Sequence, residues 1–118
     1  MRNNTTELQE QIAVVEYCDN CIPSIPIVHV PNESKRSITY GMQLKRAGMR
    51  RGFPDLYIPV AKGGYHGLFI EMKVGKNKPT EAQKNWLEKL RKLGHRTEVC
   101  YGFDEARKVI KNYMKEVL

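Results

Sequence analysis

The sequence predicts an α/β fold: a small mixed four-stranded sheet flanked by helices. Three features of the chain point to it. Two strand-like stretches, Leu56 to Val60 and Gly67 to Val74, flank a Gly63-Gly64 pair, the pattern of a hairpin. Apolar residues recur at helical spacing near both ends of the chain and again after Thr80. A further strand-like stretch, Arg96 to Tyr101, separates the last two helices, so helices and strands intermix along the chain.

In chain order, Leu8, Ile12 and Val15, with Gln11, Val14 and Cys18 alongside, predict a first helix over Thr6 to Cys18. Pro23 and Pro26 break it, and Ile25 to Val30 reads as the first strand. Pro31-Asn32-Glu33-Ser34 is turn chemistry. Lys35 to Ala47 is weakly helical, with Ile38, Met42 and Leu44 inside it and Gly48 as its stop. After the hairpin, Gly75 to Pro79 is a polar loop. Thr80-x-x-Gln83 is a capping box opening a helix whose apolar face is Trp86, Leu87, Leu90 and Leu93, closed by Gly94. Asp104 is the expected cap of a last helix with Ala106, Val109, Ile110, Tyr113, Met114 and Val117 as its buried stripe.

A chain of 118 residues is expected to form a single domain over 1–118 with one core. Its 41% hydrophobic and 28% charged content is ordinary for a globular protein. The net charge of +7 is more informative, because a small basic protein gathers polyanions, most commonly nucleic acid. No apolar run approaches the ~20 residues that cross a bilayer. The polar first residues lack a signal peptide's apolar segment, so an intracellular protein is expected, with no membrane partner. Three cysteines, an odd number, speak against a disulfide scaffold. Cys18 and Cys21 form a C-x-x-C, but a structural zinc needs four ligands and no second pair exists. Reduced, packed thiols are the simpler reading. His29, His66 and His95 have no ligand spacing and read as loop or surface residues.

The chemistry concentrates in Pro54-Asp55 and Glu71-Met72-Lys73. Side chains alternate along a strand, so Glu71 and Lys73 share one face and Ile70 and Met72 the other. Asp55 and Tyr57 share a face opposite the apolar Leu56, Ile58 and Val60. A hairpin pivoting near Gly63 sets Asp55 across from Glu71, with Cβ atoms about 4.5–5.5 Å apart. Two carboxylates that close repel unless a proton or a cation intervenes. Oxygen ligands without His or Cys favour Mg²⁺ or Mn²⁺ over zinc. Glu-x-Lys alone would equally suit a surface salt bridge; its pairing with Asp55 is what points to a metal.

These residues resemble the PD-(D/E)XK nuclease superfamily, and the surrounding sequence resembles its VRR-NUC branch. The matching stretches are Pro31-Asn32-Glu33, Leu44-Lys45-Arg46-x-Gly48, Gly52-x-Pro54-Asp55-Leu56 and Gly67-Leu68-x-Ile70-Glu71-Met72-Lys73. Gln83-x-x-Trp86, Leu90 and Gly94 follow, and Glu7-x-x-x-Gln11 matches the opening helix. The resemblance covers nearly the whole chain. It implies a restriction-endonuclease-like αβββαβ core and a Mg²⁺- or Mn²⁺-dependent DNA nuclease of the small stand-alone type found in phages and prophages, acting in the bacterial cytoplasm. It also implies that Asp55, Glu71 and the Met72 carbonyl hold the metal, that Glu7 helps from the first helix with Glu10 as the alternative, and that Lys73 orients the attacking water. Gln83 would position Lys73 or the phosphate, or serve only the capping box; the two roles are compatible.

Lys35, Arg36, Lys45, Arg46, Arg50 and Arg51 lead into the Asp55 strand, and Lys76 and Lys78 follow Lys73, with Lys84 beyond. Together they suit a groove that tracks phosphates and reads DNA shape, since no base-reading motif is evident. Stand-alone members of the branch resemble junction resolvases, which implies a homodimer cutting four-way (Holliday) junctions. The alternative is a non-catalytic DNA-binding module that retains the nuclease fold.

Overall fold

The computed structural model of the protein describes residues 5–31 and 37–115. Its elements are α1 (Glu7–Cys21), β1 (Val28–His29), α2 (Ile38–Arg46), β2 (Leu56–Ile58), β3 (Leu68–Lys73), α3 (Glu81–Lys92), β4 (Arg96–Tyr101) and α4 (Phe103–Met114). The four strands form one sheet in the order β1-β2-β3-β4. The first two pairings are antiparallel, and β4 runs parallel to β3 after the α3 crossover. This is the expected mixed sheet flanked by helices, with α2 inserted and α4 appended to an αβββαβ order.

The β2–β3 connection closes as a tight turn. Lys62 and Tyr65 exchange backbone hydrogen bonds of 3.1 and 2.8 Å around Gly63 and Gly64. Both glycines have positive φ, 57° and 88°, the backbone of a two-residue type I′ hairpin. The ladder pairs Leu56 with Ile70 and Ile58 with Leu68. These residues, with Met72 and Cys100, form a core against Val14 and Cys18 of α1 and Ala106, Ile110, Tyr113 and Met114 of α4. On the opposite face Phe69 meets Phe53 edge-to-face at 5.4 Å, and Arg91 of α3 donates to Thr97 of β4 at 2.8 Å.

Several boundaries and faces differ from the sequence pattern. The first strand is confined to Val28 and His29, since β2 offers a short partner; Ile25 turns back to Ile22 and buries itself in the core. The first helix continues to Cys21 and stops before Pro23, which restricts Ile22 to a non-helical conformation. Its buried stripe is Glu10, Val14 and Cys18, whereas Leu8 and Ile12 are 64% and 47% exposed. The second helix begins at Ile38, capped by Ser37, with Ile38 and Met42 on its exposed face. Leu93 lies past the end of α3 and is exposed, not part of its apolar face. The turn at Asn32 to Ser34, together with Lys35, Arg36 and Val117, lies outside the described residues.

The start of α4 carries the most instructive difference. Asp104 is not its cap; Gly102 holds that position with φ 92°, and it has no side chain to offer. The Phe103 N–H donates instead to Glu10 Oε1, at 2.8 Å, from the middle of α1. A carboxylate at a helix N-terminus satisfies an orphan donor and complements the dipole. Glu10 Oε2 also accepts from Thr5 Oγ1 at 2.7 Å, so a buried acid links the start of α1 to the start of α4.

Glu10→Ala is expected to lower unfolding free energy by about 1–3 kcal/mol, the loss of a buried charge-assisted bond, with Glu10→Gln milder. Urea unfolding of the three proteins checks this, and an Ala variant as stable as the parent would contradict the cap.

Candidate active site

Glu71 sits in the middle of β3, where both faces are covered, and is almost wholly buried. Extending the ladder one pair beyond Leu56–Ile70 sets Asp55 opposite Glu71. Asp55 itself lies just before β2, and its Oδ2 accepts the Met72 N–H at 2.8 Å. One pair further on, Pro54 faces Met72. Proline has no N–H, so the pairing brings no donor to the Met72 carbonyl. The Pro-Asp dipeptide thus ends the ladder and replaces its last bond with a carboxylate.

The first helix completes the cluster. Carboxylate oxygens of Glu7, Asp55 and Glu71 all lie within 4.8 Å of one another. Glu10, three residues on, is committed to Phe103 as described, so the two acids of this helix's first turn face different neighbours. Lys73 Nζ approaches Glu71 Oε2 at 3.7 Å, and Gln83 Nε2 donates to the same oxygen at 3.0 Å. Gln83 Oε1 accepts the Thr80 N–H at 2.8 Å, closing the capping box. One amide therefore closes the capping box and also binds Glu71, where the resemblance implies Lys73 or the phosphate as its partner. Gly52 allows α3 to come this close: a Cβ there would sit 2.6 Å from the Ala82 carbonyl carbon and 2.8 Å from the Gln83 nitrogen.

The electrostatic cost of the cluster falls on Glu71. Burial, then the Asp55 charge, push its carboxyl up to about 9, with Lys73 pulling the other way and Glu7 adding a smaller rise. Its Oε1 is buried and has no hydrogen-bond partner among the described residues. Orphaned buried acceptors are rare, and a cation among the three carboxylates would satisfy this one. The donor set, oxygen throughout, fits a hard divalent ion.

His29 is exposed, as its lack of ligand spacing suggested, and it adjoins the site. Its Nδ1 donates to the Asp55 carbonyl at 2.9 Å, and the Gln11 amide lies 3.0 Å from the same nitrogen. Gln11 is one helical turn from Glu7, so the imidazole lies between the helix that carries Glu7 and the backbone that carries Asp55. The Glu7-x-x-x-Gln11 spacing was the available signal; nothing local marked His29 as its partner. Among the basic residues, Lys45, Arg46, Arg51, Lys76 and Lys78 are exposed. Arg50 Nη1 donates to the carbonyls of Lys45 and Met49, at 2.9 and 3.3 Å, closing the end of α2.

Known proteins place this arrangement. The model of the VRR-NUC domain matches residues 3–104. The chain belongs to the VRR-NUC family. A solved structure described as a VRR_NUC domain protein is 33% identical with a TM-score of 0.82, covering 97% of this chain and 92% of the other. A second, described as a VRR_NUC domain, shares the fold at 23% identity and a TM-score of 0.61, covering 93% and 99%. No curated protein matches the sequence. The VRR-NUC assignment makes this a nuclease-type domain with DNA as its substrate, and the acidic cluster is compatible with a divalent metal. No helix among the described residues is long and apolar enough to cross a membrane.

Two outcomes follow from the geometry. An acid raised from 4.5 to about 9 keeps its proton when folded and loses it when unfolded between those values. Its contribution to stability is therefore complete below about pH 4.5 and is lost as pH rises through 9. Without divalent ions, the melting temperature should fall over that window, and Glu71→Gln should flatten the slope and melt roughly 5 °C higher near pH 8. Parallel pH profiles for the two proteins would count against the raised acid. His29→Ala should weaken Mn²⁺ binding about threefold to tenfold by calorimetry, the worth of one hydrogen bond. Unchanged affinity would reduce His29 to a bystander.

Proposed function

We propose that the protein is a divalent-metal-dependent endodeoxyribonuclease of the PD-(D/E)XK type that cuts branched DNA, four-way junctions above all, as a homodimer. The observation that supports it best is the convergence of Glu7, Asp55 and Glu71 within 4.8 Å, with Lys73 alongside. Asp55, Glu71, the Met72 carbonyl and Glu7 would hold Mg²⁺ or Mn²⁺. Such an ion, when bound, supplies Lewis acidity and lowers the pKa of a coordinated water.

The chain's own groups do the remaining work. Lys73 offers an ammonium to the phosphate oxygens and orients the attacking water. Gln83 holds Glu71 by Oε2, and Oε1 has no hydrogen-bond partner among the described residues. Glu71 must surrender the proton that burial favours, so metal affinity rises with pH up to about 9. Lys45, Arg46, Arg50, Arg51, Lys76 and Lys78, with Lys35 and Arg36, track the phosphates on either side. Exposed Leu8 and Ile12, one turn apart on α1, and Val28 on the edge strand support pairing of two copies. Two sites related by a two-fold axis match the two strands of a junction. The setting in keeping with the resemblance is a phage or prophage product in the bacterial cytoplasm.

Purified protein with Mn²⁺, offered a synthetic four-way junction and a linear duplex, is expected to cut the junction preferentially. Asp55→Asn and Glu71→Gln should each lower the rate roughly 100-fold or more. Light scattering should give twice the 13.7 kDa chain mass. Equal cutting of both substrates removes junction selectivity and leaves the nuclease. Binding without cleavage by parent and variants alike would favour a DNA-binding module instead.

A further inference from the structure

Trp86 is the only tryptophan of the chain, and it stands one turn beyond Gln83 on α3. Its indole is only partly buried. Phe53 meets it edge-on at 5.1 Å, and Lys89 Nζ lies 4.9 Å from the ring centroid. Two hollows border this ring. One, of about 180 Å³, is lined by Val30, Pro31, Met49, Arg50, Phe53 and Trp86. The other, of about 220 Å³, lies between Arg51, Asn85, Trp86 and Lys89. Both are smaller than the roughly 300–1,000 Å³ of pockets that enclose drug-sized ligands. A single flat ring system suits such a space.

The first hollow adjoins the acidic cluster through covalent and hydrogen-bonded neighbours. Val30 donates its N–H to the Asp55 carbonyl at 2.9 Å. Phe53 precedes Asp55 by two residues, and Gln83, one turn before Trp86, holds Glu71. Its lining is largely aromatic and aliphatic and includes Arg50, while Arg51 and Lys89 line the neighbouring hollow. An apolar lining beside cationic groups complements a base carried on a phosphate chain. Aromatic side chains bind unpaired bases by stacking, whatever their sequence, and arginine planes add to it.

We propose that the hollow between Met49, Phe53 and Trp86 takes one unpaired base of the DNA beside the phosphate to be cut. This rests on the DNA-nuclease reading and adds a source of selectivity to it: an intact duplex has no free base to offer, whereas a bulge does, and a branch point does where a pair at its centre opens. Arg50, one of the lining residues, is held to the carbonyls of Lys45 and Met49.

The sole tryptophan makes the test direct. In EDTA, where DNA stays intact, the protein is titrated with a duplex carrying one unpaired nucleotide, the fully paired duplex, and the bulged duplex with an abasic site at the unpaired position. Trp86 fluorescence is expected to be quenched by the first alone, while anisotropy shows the abasic duplex bound roughly tenfold more weakly. Trp86→Phe should keep most of the preference for the base over the abasic site, and Trp86→Leu should lose it. Equal quenching and affinity for all three DNAs would overturn the proposal. So would emission that shifts with protein concentration alone, which would mean a second copy fills the hollow. Cleavage of the same DNAs in Mn²⁺, measured in parallel, reports on the nuclease reading separately.

Discussion

Everything at the site depends on the antiparallel register of β2 and β3. Pairing Leu56 with Ile70 puts five apolar side chains of the two strands on the face toward α1 and α4. The same register puts Asp55 and Glu71 on the other face, opposite each other. A slip of one residue would send Glu71 and Lys73 into the core and Ile70 and Met72 under α3. The apolar burial that holds the sheet together therefore also enforces the approach of two acids. The type I′ turn at Gly63 and Gly64 reinforces that register from the closed end of the hairpin.

Holding acids together in a buried place is unfavourable, and the structure concentrates that cost in one residue. Glu71 is the deepest of the three acids, and burial and the Asp55 charge raise its carboxyl strongly. Lys73 and Gln83 converge on a single oxygen of it, Oε2, and neither reaches the other. A fully satisfied Glu71 would be a stable core residue. A half-satisfied one is stabilised by whatever brings positive charge to Oε1, either a proton or a cation. The same incompleteness that destabilises the metal-free fold at high pH thus favours ion binding.

The sequence made the centre of the site legible because local periodicity and register suffice there. Strand alternation separated Glu71 and Lys73 from Ile70 and Met72, and the hairpin interval opposed Asp55 to Glu71. The α3 capping box, Arg96–Tyr101 and the α4 stripe are similarly local patterns. What could not be read was partnership between distant segments. Leu8 and Ile12 have the better apolar spacing, yet α1 turns Glu10, Val14 and Cys18 inward because Glu10 finds a partner 93 positions away at Phe103. Asp104 has the composition of a cap, but the helix already begins at Phe103, whose N–H is taken by Glu10. His29 lacks any ligand spacing, since its role is to hold a backbone carbonyl.

The first helix shows how these distant partnerships join fold to chemistry. Glu7, Glu10 and Gln11 lie within little more than one turn, and each binds a different part of the chain. Glu10 grips the start of α4, which packs the core face of the sheet. Gln11 lies against the His29 ring, which sits beside the Asp55 carbonyl. With both neighbours fixed, Glu7 has little freedom but to face Asp55 and Glu71. Its place in the cluster thus follows from core packing on one side of α1 and edge-strand hydrogen bonding on the other. A lesion in either support, far from any phosphate, would loosen a carboxylate that Asp55 and Glu71 cannot replace from the sheet.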